Sequence, residues 1–465
     1  MNLVQIPFAV HSYQSRSLPL SAQRLVNLYP ENAPQDAKSP VVLHGTPGLK
    51  SFANTAVGPV RALHVMDSVL FAVSSSTLYE ISSSGGITSR GTVAGTGRVK
   101  MVDNGSTLLI QVGVKAYTWN GSSLAEVTDS DLPDVQDIAW IDNYFVVLRS
   151  GTAEFYISSN GTAWDALDFS TAEGNPDDAV ALAVDHRELW VFGTETTEVY
   201  INVGDADFPF RRISGGFIER GCADEDSVAK MDNTIFWQGD DLAFYRADGY
   251  TPRRISTHAM EAAIEGYDVQ SPVRAFTYAQ EGHAFYCVVF EEGTWVYDAN
   301  TQMLHERTSL KSDLTEINRW RANDYARAYD KHIVADYLSG QLFELDLETY
   351  DENGNTIIRT ATSPPIHNNG NRINMARFEL QVESGAGLIS GQGSDPQVML
   401  DWSDDGGKTF SNEHWTGLGA IGDYLKRAIF SRLGQFRTRT LRIRISDPIK
   451  VAITGAAAAL TPHQS

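Results

Sequence analysis

A short apolar run that ends in an aspartate recurs through most of this chain, and it constrains the fold more than any other feature. The spacing between the repeats is roughly 36 to 50 residues. The repeated aspartates are Asp67, Asp103, Asp142, Asp185, Asp232 and Asp330. A degenerate copy without the aspartate falls at residues 277–280. Units of this length that hold several short strands are typical of propeller blades.

An aromatic residue follows each repeat mark within the same unit. These residues are Tyr79, Tyr117, Tyr156, Tyr200, Tyr245, Tyr297 and Phe343. Runs at 69–73, 144–148 and 189–192 are almost wholly apolar, as expected for inner strands buried between neighbouring blades. The marks predict a β-propeller of about seven blades over residues 56–350, or of six if one unit belongs to an insertion. A helix is predicted between blades at 256–264, with Ser256 as its cap.

The segments outside the repeat predict three further parts of an all-β chain. Residues 1–55 are rich in proline and polar residues, which predicts an extended N-terminal arm draped over the other parts. Residues 351–372 carry Asn-Gly and Pro-Pro pairs and are predicted to be a linker. Strand-like alternation then predicts a C-terminal β domain over 373–465, a small sandwich or jelly roll.

The charge balance limits what the protein can bind. The chain of 465 residues has a net charge of −21, which argues against gripping nucleic acid through a general basic surface. An acidic lumen would instead repel phosphates and let a duplex slide. The two cysteines lie far apart, so no disulfide framework is expected. The sequence shows neither a signal peptide nor a membrane-spanning run, and no membrane insertion is expected.

One local motif resembles the Asp box of sialidase propellers. It comprises Ser403, Asp405, Gly407, Thr409 and Phe410. Its hydroxyl and carboxylate cap a hairpin turn, and glycine permits the left-handed bend. A sialidase would also need an arginine cluster and a Tyr/Glu nucleophile pair, and no spacing indicates such a set. The motif therefore predicts a structural turn, with a propeller glycosidase or carbohydrate-binding tail module as the alternative.

No pattern predicts catalysis, a cofactor or a metal site. The histidines have no metal-ligand spacing, and the repeated aspartates are too far apart for a calcium loop. The Gly-x-Gly at residues 95–97 lacks the Gly-Lys-Ser/Thr sequence and the βαβ context of a phosphate loop. We therefore expect a chain that is not an enzyme. A further alternative is a propeller that serves only as a generic protein-interaction domain.

A basic segment interrupts the acidic background near the C-terminus. Residues 424–446 hold seven basic side chains and no acidic one. Four of them, Arg437, Arg439, Arg442 and Arg444, are predicted contacts with an acidic partner or with a neighbouring copy. The alternative is a solvated strand face.

Several segments together resemble one family. They are residues 21–31 (SAQRLVNLYPE), 44–49 (HGTPGL), 93–101 (VAGTGRVKM) and 295–299 (WVYDA). They look like the packaged-DNA stabilisation proteins of short-tailed phages, also called tail accessory factors, tail hubs or nozzles. The order of arm, long β region and final β unit agrees as well.

The resemblance implies a structural role in the virion tail, after assembly in the host cytoplasm. It implies a homo-oligomer, a hexamer, that attaches below the head-to-tail adaptor ring under the portal. Such a hub would extend the DNA channel, help to retain packaged DNA and dock a tail needle, tailspikes or fibres. Within the arm, Arg24, Asn27 and Tyr29 are predicted contacts with a neighbouring subunit or with the adaptor.

Overall fold

The protein is described by a computed structural model that covers residues 3–8, 10–268, 273–311, 313 and 315–463. Strands make up most of its regular structure, which confirms the all-β prediction. The N-terminal arm carries seven short strands. They are β1 (Leu3–Gln5), β2 (Tyr13–Gln14), β3 (Ala22–Gln23), β4 (Leu25–Val26), β5 (Leu28–Asn32), β6 (Val41–Gly45) and β7 (Gly48–Asn54).

The repeat region forms a β-propeller of four-stranded antiparallel blades. Blades 1 and 2 comprise β8 (Val60–Met66), β9 (Val69–Ser74), β10 (Thr77–Ile81), β11 (Ile87–Thr92), β12 (Val99–Asp103), β13 (Leu108–Val112), β14 (Lys115–Trp119) and β15 (Leu124–Glu126). Blades 3 and 4 comprise β16 (Val135–Ile141), β17 (Tyr144–Arg149), β18 (Glu154–Ser158), β19 (Phe169–Thr171), β20 (Ala179–Asp185), β21 (Glu188–Gly193), β22 (Thr197–Asn202) and β23 (Phe210–Ile218).

The remaining blades follow the same plan. Blades 5 and 6 comprise β24 (Ala229–Met231), β25 (Thr234–Gln238), β26 (Phe244–Asp248), β27 (Thr251–Arg254), β28 (Arg274–Gln280), β29 (His283–Val289), β30 (Thr294–Asp298) and β31 (Met303–Arg307). A two-stranded ribbon, β32 (Ser309–Leu310) and β33 (Glu316–Ile317), precedes blade 7. Blade 7 comprises β34 (Ala322–Ala328), β35 (Lys331–Asp336), β36 (Gln341–Asp346) and, from the arm, β7.

The ring closes through strand β7. This strand precedes blade 1 in sequence, yet it pairs with β36 from Gln341↔Asn54 to Asp346↔Gly48. The inner strand of blade 7, β34, packs against β8 of blade 1. The described residues therefore form seven four-stranded units, one for each repeat mark.

The repeat marks lie at the tight turn between the first and second strand of each blade. Asp67, Asp142 and Asp232 have left-handed backbones, with φ of 48°, 47° and 51°. Asp and Asn tolerate this conformation better than most residues, which suits them to hairpin turns. In blade 6 the turn is Glu281–Gly282, with φ of 53° and 79°. A glutamate therefore takes the left-handed position that an aspartate holds in blade 1, and glycine takes the position after it.

Three of the marks also join neighbouring blades. Asp103 of blade 2 lies 2.7 Å from His64 Nε2 of blade 1. Asp142 of blade 3 pairs with Arg187 of blade 4 at 3.0 Å. The third pair joins Asp185 of blade 4 to a lysine of blade 5 at 2.8 Å. The aspartates are therefore turn residues that in part also link adjacent blades.

The predicted helix between blades 5 and 6 is α1 (His258–Ile264). Its cap differs from the prediction. Thr257 is the N-cap, and its side chain accepts a hydrogen bond from the Met260 amide. Ser256 Oγ instead bonds to Glu261 Oε1 at 2.5 Å. The prediction missed by one residue because serine and threonine are nearly equivalent caps in sequence.

The C-terminal domain is a β-sandwich, which confirms that part of the predicted fold class. Two short strands that precede it, β37 (Asp351–Glu352) and β38 (Asn355–Thr356), extend the sheet of blade 7. The strands that this part of the chain contributes to the sandwich are β39 (Arg359–Thr362), β40 (Ile366–His367), β41 (Ile373–Val382), β42 (Gln397–Ser403), β43 (His414–Gly417), β44 (Ala428–Ser431), β45 (Gln435–Phe436), β46 (Thr438–Ile445) and β47 (Ala452–Pro462). One sheet runs β44-β41-β47-β6-β5, with β1 added on β47. The other runs β4-β39-β46-β42-β43.

The segment predicted as a linker, residues 351–372, contains strands instead. Its strand β39 lies between β4 and β46, and Ala361 within it is fully buried. The Asn-Gly and Pro-Pro pairs in this segment mark turns between short strands rather than a flexible connection. The linker prediction was therefore wrong for β39, because one short strand buried by nonlocal partners has little signal of its own.

Candidate functional site

The N-terminal arm lies in the seam between the propeller and the sandwich. Strand β4 pairs in parallel with β31 of blade 6 at Glu306↔Val26. On its other side it pairs antiparallel with β39 at Thr360↔Val26. Blade 6 and one sheet of the sandwich thus become a single continuous sheet through two residues of the arm.

Asn27 fixes the arm in this seam. It is 1% exposed and has a left-handed φ of 53°. Its Nδ2 donates to the Ile358 carbonyl at 2.9 Å, and its Oδ1 accepts from the Thr308 amide at 3.1 Å. One side chain therefore holds both flanking domains, and its polar atoms are used within the chain.

Tyr29 packs onto blade 6 beside two histidines. Its ring centroid lies 5.1 Å from that of His283 and 5.5 Å from that of Phe285. Burial raises the pKa of Tyr29 to about 12. His305 is fully buried next to it, and burial lowers its pKa to about 3, so this imidazole is neutral in the folded chain.

Arg24 reaches the outer strand of blade 6. Its Nη2 lies 2.5 Å from Glu306 Oε2, and its Nε contacts both carboxylate oxygens. Coulombic attraction to Glu306 is the main reason that the pKa of Arg24 lies above its ordinary value. Arg24, Asn27 and Tyr29, the predicted partner contacts of the arm, all contact blade 6 of their own chain. Their role toward another subunit or the adaptor stays a prediction.

The Asp box has the geometry expected of a capped turn. Ser403 Oγ donates to Asp405 Oδ1 at 2.7 Å and accepts from the Gly407 amide at 2.7 Å. Thr409 Oγ1 donates to Asp405 Oδ2 at 2.6 Å. These hydrogen bonds hold the pKa of Asp405 well below its usual range. The guanidinium of Arg442 stacks on Phe410, 3.6 Å from the ring centroid.

The N-terminal arm packs against the same turn. A Cβ atom at Gly406 would lie 2.8 Å from Pro19 Cγ, and one at Gly407 would lie 2.5 Å from Ala22 Cβ. The backbone of the turn is therefore in direct contact with the arm hairpin formed by β2 and β3. No feature of the sequence connects residues 19–22 with 406–407, and this contact was not predicted.

The basic segment is largely neutralised within the sandwich. Arg439 is 2% exposed and pairs with Asp404 through two contacts of 2.7 Å. Arg442 and Arg444 both pair with Asp401, at 2.7 and 2.9 Å. Arg437 is exposed and donates to the Gly370 carbonyl. Of the four predicted contacts, Arg437 is thus the one that presents its charge most openly.

The central channel of the propeller is crossed by a charged network that the sequence did not reveal. Lys100 of blade 2 lies 2.8 Å from Asp137 of blade 3 and donates to the Leu182 carbonyl of blade 4 at 3.1 Å. Arg98 lies 3.1 Å from Asp137 and 2.5 Å from Asp226. The contacts with Asp137 join adjacent blades, whereas those with Leu182 and Asp226 reach from blade 2 to parts of the propeller beyond its neighbouring blade.

The pKa shifts in this network follow from burial and pairing. Burial is the largest influence on Asp137, yet Arg98 and Lys100 outweigh it and keep the pKa of this carboxyl below its ordinary value. Burial lowers the pKa of Lys100. In the same channel, burial raises the pKa of Asp324 to about 6, although the Leu63 amide donates to it at 2.7 Å. A Gly-x-Gly directly before Arg98 was the only signal in the sequence.

Among the described residues, no group of three or more His, Cys, Asp or Glu side chains is arranged to hold a metal ion. No helix in the described part of the chain is long and apolar enough to cross a membrane.

Several solved structures align with this chain at low similarity. They include virginiamycin B lyase from Staphylococcus aureus (10% identity, TM-score 0.43, 64% of this chain and 97% of that one), the N-terminal domain of Nup159 (10%, 0.39, 70% and 99%) and PorZ of Porphyromonas gingivalis (12%, 0.38, 79% and 46%). Scores this low carry no argument about function. No curated protein matches the chain.

Two family comparisons cover nearly the whole chain. The family described as bacteriophage P22 Gp10, beta-propeller, matches residues 4–350, and the one described as bacteriophage P22 Gp10, beta-sandwich, matches residues 359–461. The two matches fall on the propeller with its arm and on the sandwich. Because they cover far more than half of the sequence, the chain belongs to the bacteriophage P22 Gp10 family, whose members are structural proteins of the phage tail that stabilise packaged DNA and are not enzymes.

Proposed function

We propose that copies of this chain form a ring, a hexamer, that attaches below the adaptor ring and prolongs the DNA channel. The observation that carries the proposal is the closed centre of the propeller. Lys100, Arg98, Asp137 and Asp226 meet across that channel, which leaves no bore for a duplex within one chain. In this proposal the lumen for DNA lies between copies.

The net charge supports the same arrangement. At −21 per chain, a lumen formed between copies would be surrounded by negative potential. Phosphates would be repelled from its wall, and the duplex could move during packaging and ejection without sequence-specific contacts. Retention of DNA would then come from the closed assembly rather than from affinity for DNA.

The arm supports a rigid subunit. Its strands complete blade 7 and both sheets of the sandwich, so the two domains are tied by paired backbone. A rigid subunit of this kind would hold an adaptor at one end in a fixed position relative to a needle, tailspikes or fibres at another. Assembly in the host cytoplasm belongs to the same proposal.

Native mass spectrometry of the full chain, alone and mixed with the adaptor proteins of its phage, tests the proposal. The expected result is a closed ring of six copies bound to the adaptor ring. Negative-stain images should show a lumen between copies. A chain that stays monomeric with the adaptor present, or rings with no central opening, would contradict it.

A charge reversal at Arg437 tests the predicted basic contact. Arg437→Glu should weaken ring assembly or adaptor binding, because its exposed guanidinium faces an acidic partner in this proposal. Arg253→Glu, on the exposed outer strand of blade 5, is the matched control and should assemble normally. Equal assembly of both variants would remove Arg437 from the interface.

A further inference from the structure

The propeller has a cavity at one mouth of its closed channel that the proposed tail role does not use. Its volume is about 830 Å³, within the range of small-molecule sites. It lies where the inner strands begin, beside the Gly-x-Gly loop at 94–98. Four guanidiniums and two carboxylates line it; they belong to Arg61, Arg98, Arg274, Arg319, Asp226 and Glu291.

Arg61 is the unusual member of this wall. It is 8% exposed, and its guanidinium donates to the backbone carbonyls of Ser75, Gly95 and Gly97. They include the Gly97 carbonyl at 2.6 Å and the Gly95 carbonyl at 3.1 Å. The Gly-x-Gly loop thus folds around this guanidinium and fixes it at the cavity.

Arg274 places a second positive charge near the first. Burial lowers the pKa of Arg61, and repulsion from the charge of Arg274 lowers it further. Arg274 lies 3.7 Å from Asp226, and that carboxylate is shared with Arg98 at the closer distance of 2.5 Å. Among the described residues Arg61 pairs with no carboxylate, whereas Arg274 shares Asp226 with Arg98 and also interacts electrostatically with Asp324, so Arg61 in particular lacks a local counter-charge.

Arg319 and Tyr337 complete the wall. The Arg319 guanidinium stacks on the Tyr337 ring, 3.8 Å from its centroid, and donates to Asn323 Oδ1 at 2.7 Å. Its planar group is thereby held in one orientation. Guanidiniums fixed in this way match the paired oxygens of carboxylate and phosphate groups.

We infer that this cavity binds a small anion bearing phosphate or carboxylate oxygens, held between Arg61 and Arg274. The anion would supply negative charge to two guanidiniums that the neighbouring carboxylates do not fully neutralise, inside a chain that is otherwise acidic. This inference does not rest on the ring or on the adaptor contact. It can fail or hold independently of both.

Isothermal titration of the full chain with pyrophosphate and with citrate, at fixed ionic strength, tests the site. Binding of either probe is expected, and comparison of the two identifies whether phosphate or carboxylate oxygens are preferred. Arg274→Gln should weaken binding by about tenfold or more, because a charge-assisted hydrogen bond is lost. Asp226→Asn should tighten it, since it removes the carboxylate that competes with the anion for Arg98 and Arg274.

Arg253→Gln on blade 5 is the matched control, and its affinity should equal that of the original chain. Circular dichroism and the midpoint of thermal unfolding check that every variant is folded. The inference is overturned if neither probe binds, or if a folded Arg274→Gln variant binds as tightly as the original chain. It is also overturned if Arg253→Gln weakens binding equally, because attraction would then be nonspecific.

Discussion

The propeller and the sandwich are built from sequence in opposite ways. Blades 1 to 6 each take their four strands from one continuous stretch, joined by tight hairpins. The sandwich draws β1, β4, β5 and β6 from the first 45 residues and its other strands from residues after 358. Local pairing leaves a repeat that can be read in the sequence, whereas the sandwich depends on strands that meet only in the folded chain.

The two regions also differ in how they are joined. Neighbouring blades are linked by side-chain ion pairs such as Asp185–Lys230 and by the buried Asp137 network. The seam to the sandwich is linked by paired backbone of β4 and by the amide of Asn27. This difference predicts that loss of the arm destabilises the sandwich and that loss of the channel charges destabilises the propeller.

Removal of residues 1–31 should have the largest effect. It deletes β1, β4 and most of β5, and it leaves β39 and β6 each without one of their two neighbouring strands. The sandwich should lose cooperative unfolding because its unpaired backbone groups become exposed. Scanning calorimetry and limited proteolysis would measure this.

Removal of residues 1–5 is the control for that deletion. It takes away the short edge strand β1, whose residues are exposed, and leaves the buried Ile6 in the sandwich core. Both domains should then unfold close to their original temperatures. An intact sandwich in the longer deletion would show that the arm is not needed to hold it.

Within the propeller, Asp137→Asn should cost about 3–5 kcal/mol of unfolding free energy, because it leaves the charges of Arg98 and Lys100 buried without this partner. Chemical denaturation would measure the loss. Asp142→Asn is the matched control, since its partner Arg187 is 82% exposed, and it should cost less than about 0.5 kcal/mol. Equal losses of unfolding free energy in the two variants would show that the buried channel pair is no more stabilising than the surface pair.

At the seam, Asn27→Ala should cost about 3 kcal/mol. It removes hydrogen bonds to both domains and puts alanine, which tolerates the left-handed region less well than asparagine, at φ 53°. Asn27→Gly removes the same bonds but relieves the backbone, and should cost about 1 kcal/mol less. Urea titrations of the two variants separate the two contributions, and identical values would show that the backbone conformation is unstrained.

At the Asp box, Gly407→Ala should cost about 2 kcal/mol and undock the arm hairpin, because the new Cβ would meet Ala22 at 2.5 Å. Hydrogen exchange of residues 13–23 would report the undocking. Gly422→Ala has a similar φ of 85° with open space around it, so it should cost only about 1 kcal/mol. Exchange at 13–23 that is unchanged in Gly407→Ala would exclude the arm contact.

The smallest expected effect is on pH dependence, at Asp324. Its pKa of about 6 in the folded chain lies above the unfolded value near 4, so the folded state binds more protons between these pH values. The stability it contributes is fully present below about pH 4 and is lost as the pH rises through 6. Because the side chain is only partly buried, we expect about 1 kcal/mol.

Thermal unfolding of Asp324→Asn between pH 4 and 7 would show this as a flatter curve than that of the original chain. The exposed Asp36→Asn on the arm is the control and should reproduce the original curve. A curve for Asp324→Asn that runs parallel to the original would contradict the assignment.

Sequence reasoning succeeded where contacts are local. The turn aspartates, the aromatic in each third strand and the Asp box all depend on residues within a few positions of one another. It did less well where the partner is distant. Strand β39 was assigned to a linker because its partners are distant in sequence. Its residues lie more than 300 positions from their partners in β4 and at least 80 positions from their partners in β46.

The basic segment shows the same division. Its run of positive residues was evident, but the carboxylates of Asp401 and Asp404, which neutralise most of it, lie more than 30 residues away. Only Arg437 among the predicted contacts remains openly exposed. The sequence could locate the charge but could not tell how much of it faces solvent.

The evenly spaced aspartates determined by themselves that this chain folds into propeller blades, because a tight left-handed turn leaves a local mark in sequence. Tertiary structure alone decided that the arm closes blade 7 and enters the sandwich, and that Arg98, Lys100 and Asp137 fill the channel. The physical reason is that backbone pairing and buried charge compensation join residues far apart in the chain, and neither has a fixed sequence spacing.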